Sequence, residues 1–304
     1  MSKSLDRLAL LATFTRIAER GSISAAARDL SLSQASASRQ LAELERRLGA
    51  TLIHRTTHAL SLTEVGEDCL IEARGLLDGW DALAERYTET GTGLHGRLKV
   101  VAPVALGQLH LAEAMLRFQQ ANLGLSITWL LQDGPIRFAE IGCDLWIKIG
   151  RVPDESLVVR PLGQVERMLV ASPSLAGGLR LQRPSDLSEL PCAALEPFEA
   201  GRIPLSSRDG ETVTLAARIA LSTDNIFAAY SAVRMGLGYA VLPRWLVEAD
   251  LESGALLDLL PAWRAPALTI NAAYRPMRRQ TRRLQLFLEH TAAAVAAIAG
   301  IATS

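Results

Sequence analysis

Apolar positions near the start of the chain recur with helical spacing. Leu10, Phe14 and Ile17 stand at i, i+4 and i+7, with Leu11 and Ala18 beside them, which predicts one buried face on a first helix. Ser4 is placed to cap that helix, starting it at Leu5, and Gly21 to end it. Ser22 or Ser24 then caps a short second helix rich in alanine, Ala25 to Leu30, followed by a tight turn at Ser31-Leu32. Ser33 opens a third helix that runs to about Leu48 and stops at Gly49. Its core stripe is Ala37, Leu41, Leu44 and Leu48, and its opposite face carries Ala35, Arg39, Ala42 and Arg46, with Ser38 at the edge. Two short alternating runs, Leu52 to Arg55 and Leu60 to Thr63, predict a β-hairpin around Thr56 to Ala59.

Thr63 caps a long helix to about Thr88, with Glu64 and Glu67 complementing its positive end. Leu70, Ala73, Leu77, Trp80, Ala84 and Tyr87 follow one another at spacings of 3, 4, 3, 4 and 3. That seam reads either as packing on the helix's own domain or as a helix pair between subunits, the second being preferred. Asp68, Asp78, Asp81 and Glu85 form an acidic face expected to meet solvent.

From Arg97 onwards strands and helices alternate. Strands are expected at Leu98 to Val101, Leu125 to Leu131, Leu145 to Ile149, Val158 to Leu162, Met168 to Ala171, Tyr239 to Leu242 and Leu268 to Ala273. Helices are expected at Leu106 to Gln120, at Ile136 to Ile141, after Asp224-Asn225, from Arg244, and from about Thr281 to Ala299. Repeated strand-helix units argue for parallel sheets covered by helices, and the length for two α/β subdomains around a cleft. Gly91-Thr-Gly-Leu-His-Gly96 matches a dinucleotide fingerprint literally, but it follows a helix and precedes a strand, the reverse of what that fingerprint requires. It reads as a hinge. The Ala-rich end, Thr291 to Ala302, reads as a docked helix with a fraying tail.

Composition narrows the function classes. The 304 residues are 49% hydrophobic and 21% charged, too apolar for a disordered chain and too long for one typical domain. No run reaches the length of a membrane span, and the N-terminus lacks the pattern of a secretory signal. Cys69, Cys143 and Cys192 are odd in number and far apart, and the five histidines lack ligand spacing, so neither disulfides nor metal are expected and a cytoplasmic location fits. The zero net charge hides an asymmetry. Residues 1–63 carry nine basic and five acidic groups, whereas residues 64–90 carry two basic and eight acidic ones. Only the first segment has the sign that phosphate contacts need.

The first turns of the third helix carry Ser33, Gln34, Ala35, Ser38 and Arg39. Glutamine bonds adenine bidentately, arginine bonds guanine, serine reaches a base or a phosphate, and small side chains let the backbone sit deep in a major groove. Arg55, on the hairpin, is placed for a phosphate or the minor groove. In the α/β part, ligands are expected at the carboxyl ends of the strands. There the amides that start a helix in Ala102-Pro-Val-Ala-Leu-Gly107 would suit a carboxylate. Gln132, Asp133, Gly150, Thr223, Asp224 and Asn225 lie at neighbouring corners. No nucleophile elbow, phosphate loop, zinc-protease motif or paired-carboxylate signature appears, so no enzyme is expected. A solute receptor for transport would need export and has no use for a DNA-reading segment.

The runs Gly21-Ser-Ile-Ser-Ala-Ala-Ala-Arg-Asp-Leu30, Leu32 to Gly49, Leu52-Ile-His-Arg-Thr56 and Leu62-Thr-Glu-Val-Gly66 resemble the LysR-type transcriptional regulators in order and spacing. Arg97 to Val104, Gly142 to Gly150, Leu169 to Pro173 and Gly236 to Pro243 extend that likeness over essentially the whole chain. The resemblance implies a winged helix-turn-helix (1–63), a linker and dimerisation helix (64–90), a hinge (91–96) and a periplasmic-binding-protein-like α/β effector domain (97–304). Within the last, subdomain I would span 97–163 and 269–304, and subdomain II 164–268. It implies DNA contacts at Ser33, Gln34, Ser38 and Arg39 and effector contacts at Val104, Gln132, Thr223 and Asp224. Ala35 stands where the family often has proline, Ala102 where it often has a hydroxyl residue, and Gln132 where serine is common. The expected partners are double-stranded DNA with an inverted-repeat site, a second copy in a dimer or tetramer, RNA polymerase and a small-molecule effector, an organic acid. No cofactor beyond that co-inducer is expected.

Overall fold

The computed structural model describes residues 6–55, 60–87, 93–196, 201–276 and 280–302, with the side chains of residues 55, 85–87 and 139–140 left aside. Helices α1 (Arg7–Arg20), α2 (Ile23–Asp29) and α3 (Gln34–Leu48) open the chain, followed by the hairpin β1 (Ile53–Arg55) and β2 (Leu60–Leu62). Local chemistry sets their ends. Asp6 rather than Ser4, which lies outside the described residues, caps α1 by accepting from the Leu8 amide at 3.1 Å. Ser22 caps α2, Ser33 caps α3, and Gly21 and Gly49 terminate α1 and α3 in the left-handed region. Leu10, Phe14 and Ile17 meet Ala26, Leu41 and Leu44, together with Leu52 and Ile53 of the hairpin, in one core. Leu48 departs from the expected stripe and is 53% exposed, because it lies in the last turn, beyond the reach of α1.

The long helix α4 (Glu64–Tyr87) starts where Thr63 accepts from the Gly66 amide at 2.9 Å and donates to the Thr51 carbonyl at 2.7 Å. Its start is pressed onto the hairpin. A Cβ at Gly66 would fall 2.0 Å from the Leu52 carbonyl oxygen, which is backbone and cannot swing away. Gly66→Ala is therefore expected to destabilise this junction by roughly 1–3 kcal/mol, read as a lower urea midpoint. An unchanged midpoint would show that α4 can lift off at no cost.

The seam expected on α4 divides. Leu70 and Ala73 are buried in the core of the first three helices, whereas Trp80 is 53% exposed. A different stripe, Leu76, Trp80 and Leu83, faces outward. The acidic face does not all meet solvent either. Asp81 forms an ion pair with Arg283 (3.0 Å), and Asp78 is partly buried beside the α/β part.

That part begins with β3 (Gly96–Ala102) and α5 (Val104–Leu106), which runs through a π-helical turn (Gly107–Leu111) into α6 (Ala112–Ala121). Then come β4 (Leu125–Leu131), α7 (Phe138–Ile141), β5 (Leu145–Ile149), β6 (Val158–Ala171), α8 (Pro173–Ala176) and a 3-10 turn (Pro184–Leu187). The chain continues through β7 (Pro191–Leu195), β8 (Arg202–Ser207), β9 (Thr212–Ala216), β10 (Arg218–Thr223), α9 (Ile226–Arg234) and β11 (Ala240–Pro243). It ends with α10 (Arg244–Ser253), β12 (Leu257–Asp258), β13 (Trp263–Tyr274), α11 (Arg282–Ala296) and β14 (Ile301–Ala302).

The main sheet runs β11-β6-β13-β5-β3-β4 and is mixed rather than parallel. β3 pairs in parallel with β4 and β5, but β13 is antiparallel to both β5 and β6. The two strands expected at Val158 to Leu162 and Met168 to Ala171 are one continuous strand, β6. β6 and β13 are long because each serves both subdomains. Their ends nearest β5 join the core of Leu98, Val100, Leu145, Ile147, Ile270 and Phe287. The other end of β13 joins the core around Leu169, Tyr239 and Val241, and that of β6 joins both this core and the one around Val170, Ala229 and Val233. A parallel pair, β7 and β10, completes the second subdomain. The expected fraying tail is ordered where Ile301 and Ala302 pair with Val165 and Gln164.

Candidate nucleic-acid interface and ligand cleft

Residues Ser33, Gln34, Ala35 and Arg39 are exposed on the first turns of α3, and Ser38 is half-buried at their edge. The Ser33 hydroxyl is already committed to the Ser36 amide (3.1 Å), so it holds the helix start. The Arg39 guanidinium reaches Ser36 Oγ at 3.3 Å and lies on the outer face. Arg46, on the same face two turns further, is paired bidentately with Glu43 (2.9 and 2.8 Å), and Arg47 reaches the same carboxylate. Those two guanidinium groups hold the Glu43 carboxyl down at about 2. Cationic charge is thus offset by a carboxylate at the end of α3 and presented outward at its start, where a groove-entering helix makes its base contacts. The backbone of Arg55 pairs with Leu60 in the hairpin, and the hairpin tip, Thr56 to Ala59, lies outside the described residues.

Between the two α/β subdomains lies a cavity of about 900 Å³. Trp146, Ile147, Ile149, Val165, Val241, Trp245 and Leu268 give it apolar walls. Of the residues expected from sequence, Gln132 and Asp224 line it, while Val104 and Thr223 do not. Thr223 Oγ1 accepts from the Asn225 amide (3.1 Å) in the turn that starts α9, and Asn225 caps that helix. The Val104 amide, expected to be open for a carboxylate, is filled by the chain itself, because Asp133 Oδ1 accepts from it at 3.0 Å.

Charged groups surround the apolar walls in both signs. Asp133, Asp224 and Glu196 face the cavity, as do Lys148, Arg151 and Arg167. The partial burial that the cleft imposes pushes the Asp133 carboxyl up, and so does Asp224, against the pull of the Val104 amide and Lys148. Burial pushes Lys148 down, and its Nζ sits 5.2 Å from the centre of the Trp146 ring. Arg167 points to the cleft side of β6 and donates from Nε to the Pro266 carbonyl (2.9 Å). Glu166, its neighbour, faces the other side, against Arg244 and Arg264 (3.5 and 3.1 Å). Sequence reasoning missed Lys148, Arg167, Glu196 and Trp245 as cavity residues. Only the alternation along β5 and β6 could have placed Lys148 and Arg167 on a shared face, and nothing local marks Trp245.

A third polar region lies where α4 meets the first subdomain. The Arg74 guanidinium, 7% exposed, bonds Glu19 of α1 at 3.4 Å and lies over Gly142, where a Cβ would be 2.0 Å from it. Gly142 ends α7 at φ +63°, so glycine serves both the turn and the close approach. Arg275 donates to the Ile71 carbonyl of α4 at 3.2 Å. Burial, and then the like charge of Asp144, raise the Asp78 carboxyl to about 7, against the pull of Arg283 and Arg275. The free thiol of Cys143 nearby is pushed up to about 12 by burial. Among the described residues no cluster of His, Cys, Asp and Glu could hold a metal ion, and no helix is long and apolar enough to cross a membrane.

Residues 8–67 match the family model described as a bacterial regulatory helix-turn-helix protein, lysR family, and residues 91–296 match the LysR substrate binding domain. The transcriptional regulator PtxR of Pseudomonas aeruginosa is 30% identical over 95% of this chain and 95% of its own length. The uncharacterised regulator YhjC of Escherichia coli is 28% identical over 94% of this chain and 96% of its own. Among solved structures, a full-length OxyR variant from Pseudomonas aeruginosa shares the fold with a TM-score of 0.72 at 17% identity, covering 97% of this chain and 96% of that one. CrgA, a LysR-type transcriptional regulator from Neisseria meningitidis, does so with a TM-score of 0.58 at 24% identity, covering 94% and 97%.

Proposed function

Because this chain belongs to the LysR family of DNA-binding transcription regulators, we propose that α3 reads an inverted-repeat DNA site and that a small molecule in the interdomain cleft controls the reading. The chain is a regulator and not an enzyme. The observation that carries the DNA assignment is the outward placement of Gln34, Ala35 and Arg39 on the first turns of α3. In this reading Gln34 and Arg39 bond base edges, Ala35 lets the helix approach, Ser33 and Ser38 flank them, and Arg55 reaches the backbone or minor groove from the hairpin. One such helix reads too few bases, so two copies act together. The outward stripe Leu76, Trp80 and Leu83 on α4 supports their association through the linker helices, and pairs of dimers give the tetramer.

The domain limits follow the same reading: 1–63 for the winged helix-turn-helix, 64–90 for the linker helix, 91–96 for the hinge and 97–304 for the effector domain. The effector contacts begin at Gln132 and Asp224, with Val104 and Thr223 shaping the corners beside them. An effector that favours one cleft arrangement shifts the spacing of the recognition helices, and with it the DNA bend that RNA polymerase meets. A cytoplasmic location suits both the DNA target and three free cysteines.

Capture and sequencing of genomic fragments by the purified full chain, at a stated near-physiological salt concentration, tests this. A small set of sites with inverted-repeat symmetry is expected; no enriched site, with and without metabolite mixtures, would refute it. On a captured site Arg39→Ala is expected to cost about 1–3 kcal/mol if Arg39 bonds a base bidentately. A loss equal on all sequences would instead make it a phosphate contact.

A further inference from the structure

The position where a helix start could seat an acidic effector is filled from within. Asp133, in the loop after β4, accepts from the Val104 amide that begins α5, so an incoming carboxylate would have to evict one already in place. It would also have to do so beside a second carboxylate, Asp224, which lines the same cavity from the opposite subdomain. Both residues are exposed at the cleft mouth, where the negative charge of Asp224 disfavours ionisation of Asp133, and a ligand cation placed there relieves it. Behind them the walls are apolar. Trp245 is only 7% exposed and lines the cavity. A cavity of this size with such walls is shaped for an organic molecule rather than a bare ion.

We infer that the effector carries a cationic nitrogen, held at the cleft mouth by Asp133 and Asp224, on an apolar body that lies along Trp146 and Trp245. The inference rests on the reading of this cavity as the effector site. A carboxylate elsewhere on the same molecule is compatible with it, since Lys148 and Arg167 line the cavity too; a carboxylate at the Val104 amide is not.

Two probes of matched shape test the charge. Phenethylamine and 3-phenylpropionate share a ring and a two-carbon arm and differ in the sign of the end group. Calorimetric titration of the full chain at one pH and ionic strength is expected to show phenethylamine bound at least about tenfold more tightly. Asp133→Asn combined with Asp224→Asn is expected to erase that preference while the circular dichroism spectrum stays that of the folded chain. The asparagine at 133 keeps an acceptor for the Val104 amide, so the corner stays built. Equal or tighter binding of 3-phenylpropionate overturns the inference. So does a preference that survives the double substitution, or no measurable binding of phenethylamine. None of these results touches the regulator reading, which stands or falls on the capture of DNA sites.

Discussion

Phe14→Ala is expected to abolish DNA binding at 37 °C without emptying the ligand cleft. Phe14 is fully buried in the one core that joins α1, α2 and α3 to the hairpin and to the start of α4. Truncating a buried phenylalanine removes its transfer free energy and leaves a cavity, together about 3–5 kcal/mol. A small domain has about 5–15 kcal/mol in total, so the loss is a large part of what holds α3 in place. The cores of the α/β part share no residue with this one, which confines the damage. Urea unfolding followed by circular dichroism is expected to show an early phase shifted to lower concentration and a later phase unmoved. A single transition, displaced as a whole, would show that the two parts unfold together.

Asp78→Asn is expected to stabilise the junction of α4 with the α/β part, and only above acidic pH. The Asp78 carboxyl is raised from 3.8 to about 7, first by burial and then by Asp144, while Arg283 and Arg275 pull it down and Asp81 adds a little to the rise. Glu19, Arg74 and Lys99 line the same region. The folded protein therefore holds a proton on Asp78 up to about pH 7, whereas the unfolded chain releases it near pH 4. Stability from this group is complete below about pH 4, declines as pH rises to 7, and stays low beyond. Asparagine remains neutral throughout. At pH 8 the variant is expected to exceed the parent by up to about 4 kcal/mol, the limit set by a shift of this size, with relaxation of the junction reducing it. Near pH 4 the two should coincide. Thermal melts across pH 4 to 8 read the difference directly; parallel curves would show that Asp78 titrates in water.

The two expectations rest on different kinds of information. That Phe14 is a core residue was legible from Leu10, Phe14 and Ile17 alone, because helical periodicity and the caps at Ser33 and Gly49 are local properties of the chain. The basic bias of residues 1–63 and the exposed start of α3 were legible for the same reason. The burial of Asp78 was not. Its face of α4 looks solvated when only α4 is considered, and it is covered by residues near 144, 275 and 283, far along the chain. Trp80 shows the converse, a seam position left exposed because only Leu70 and Ala73 reach the N-terminal core.

The cleft divides along the same line. Its corners at Gln132 and Asp224 follow from where strands end and helices begin, a pattern that the chain states locally. Its chemistry does not. Lys148, Arg167, Glu196 and Trp245 come together from β5, β6, the end of β7 and α10, and the Val104 amide is closed by Asp133 from the loop after β4. By itself the sequence determined the three N-terminal helices, the caps at Ser33 and Gly49, and the family. Only the tertiary structure decided which charges meet, since an electrostatic environment is set by neighbours in space, and those neighbours are separated here by tens to hundreds of residues.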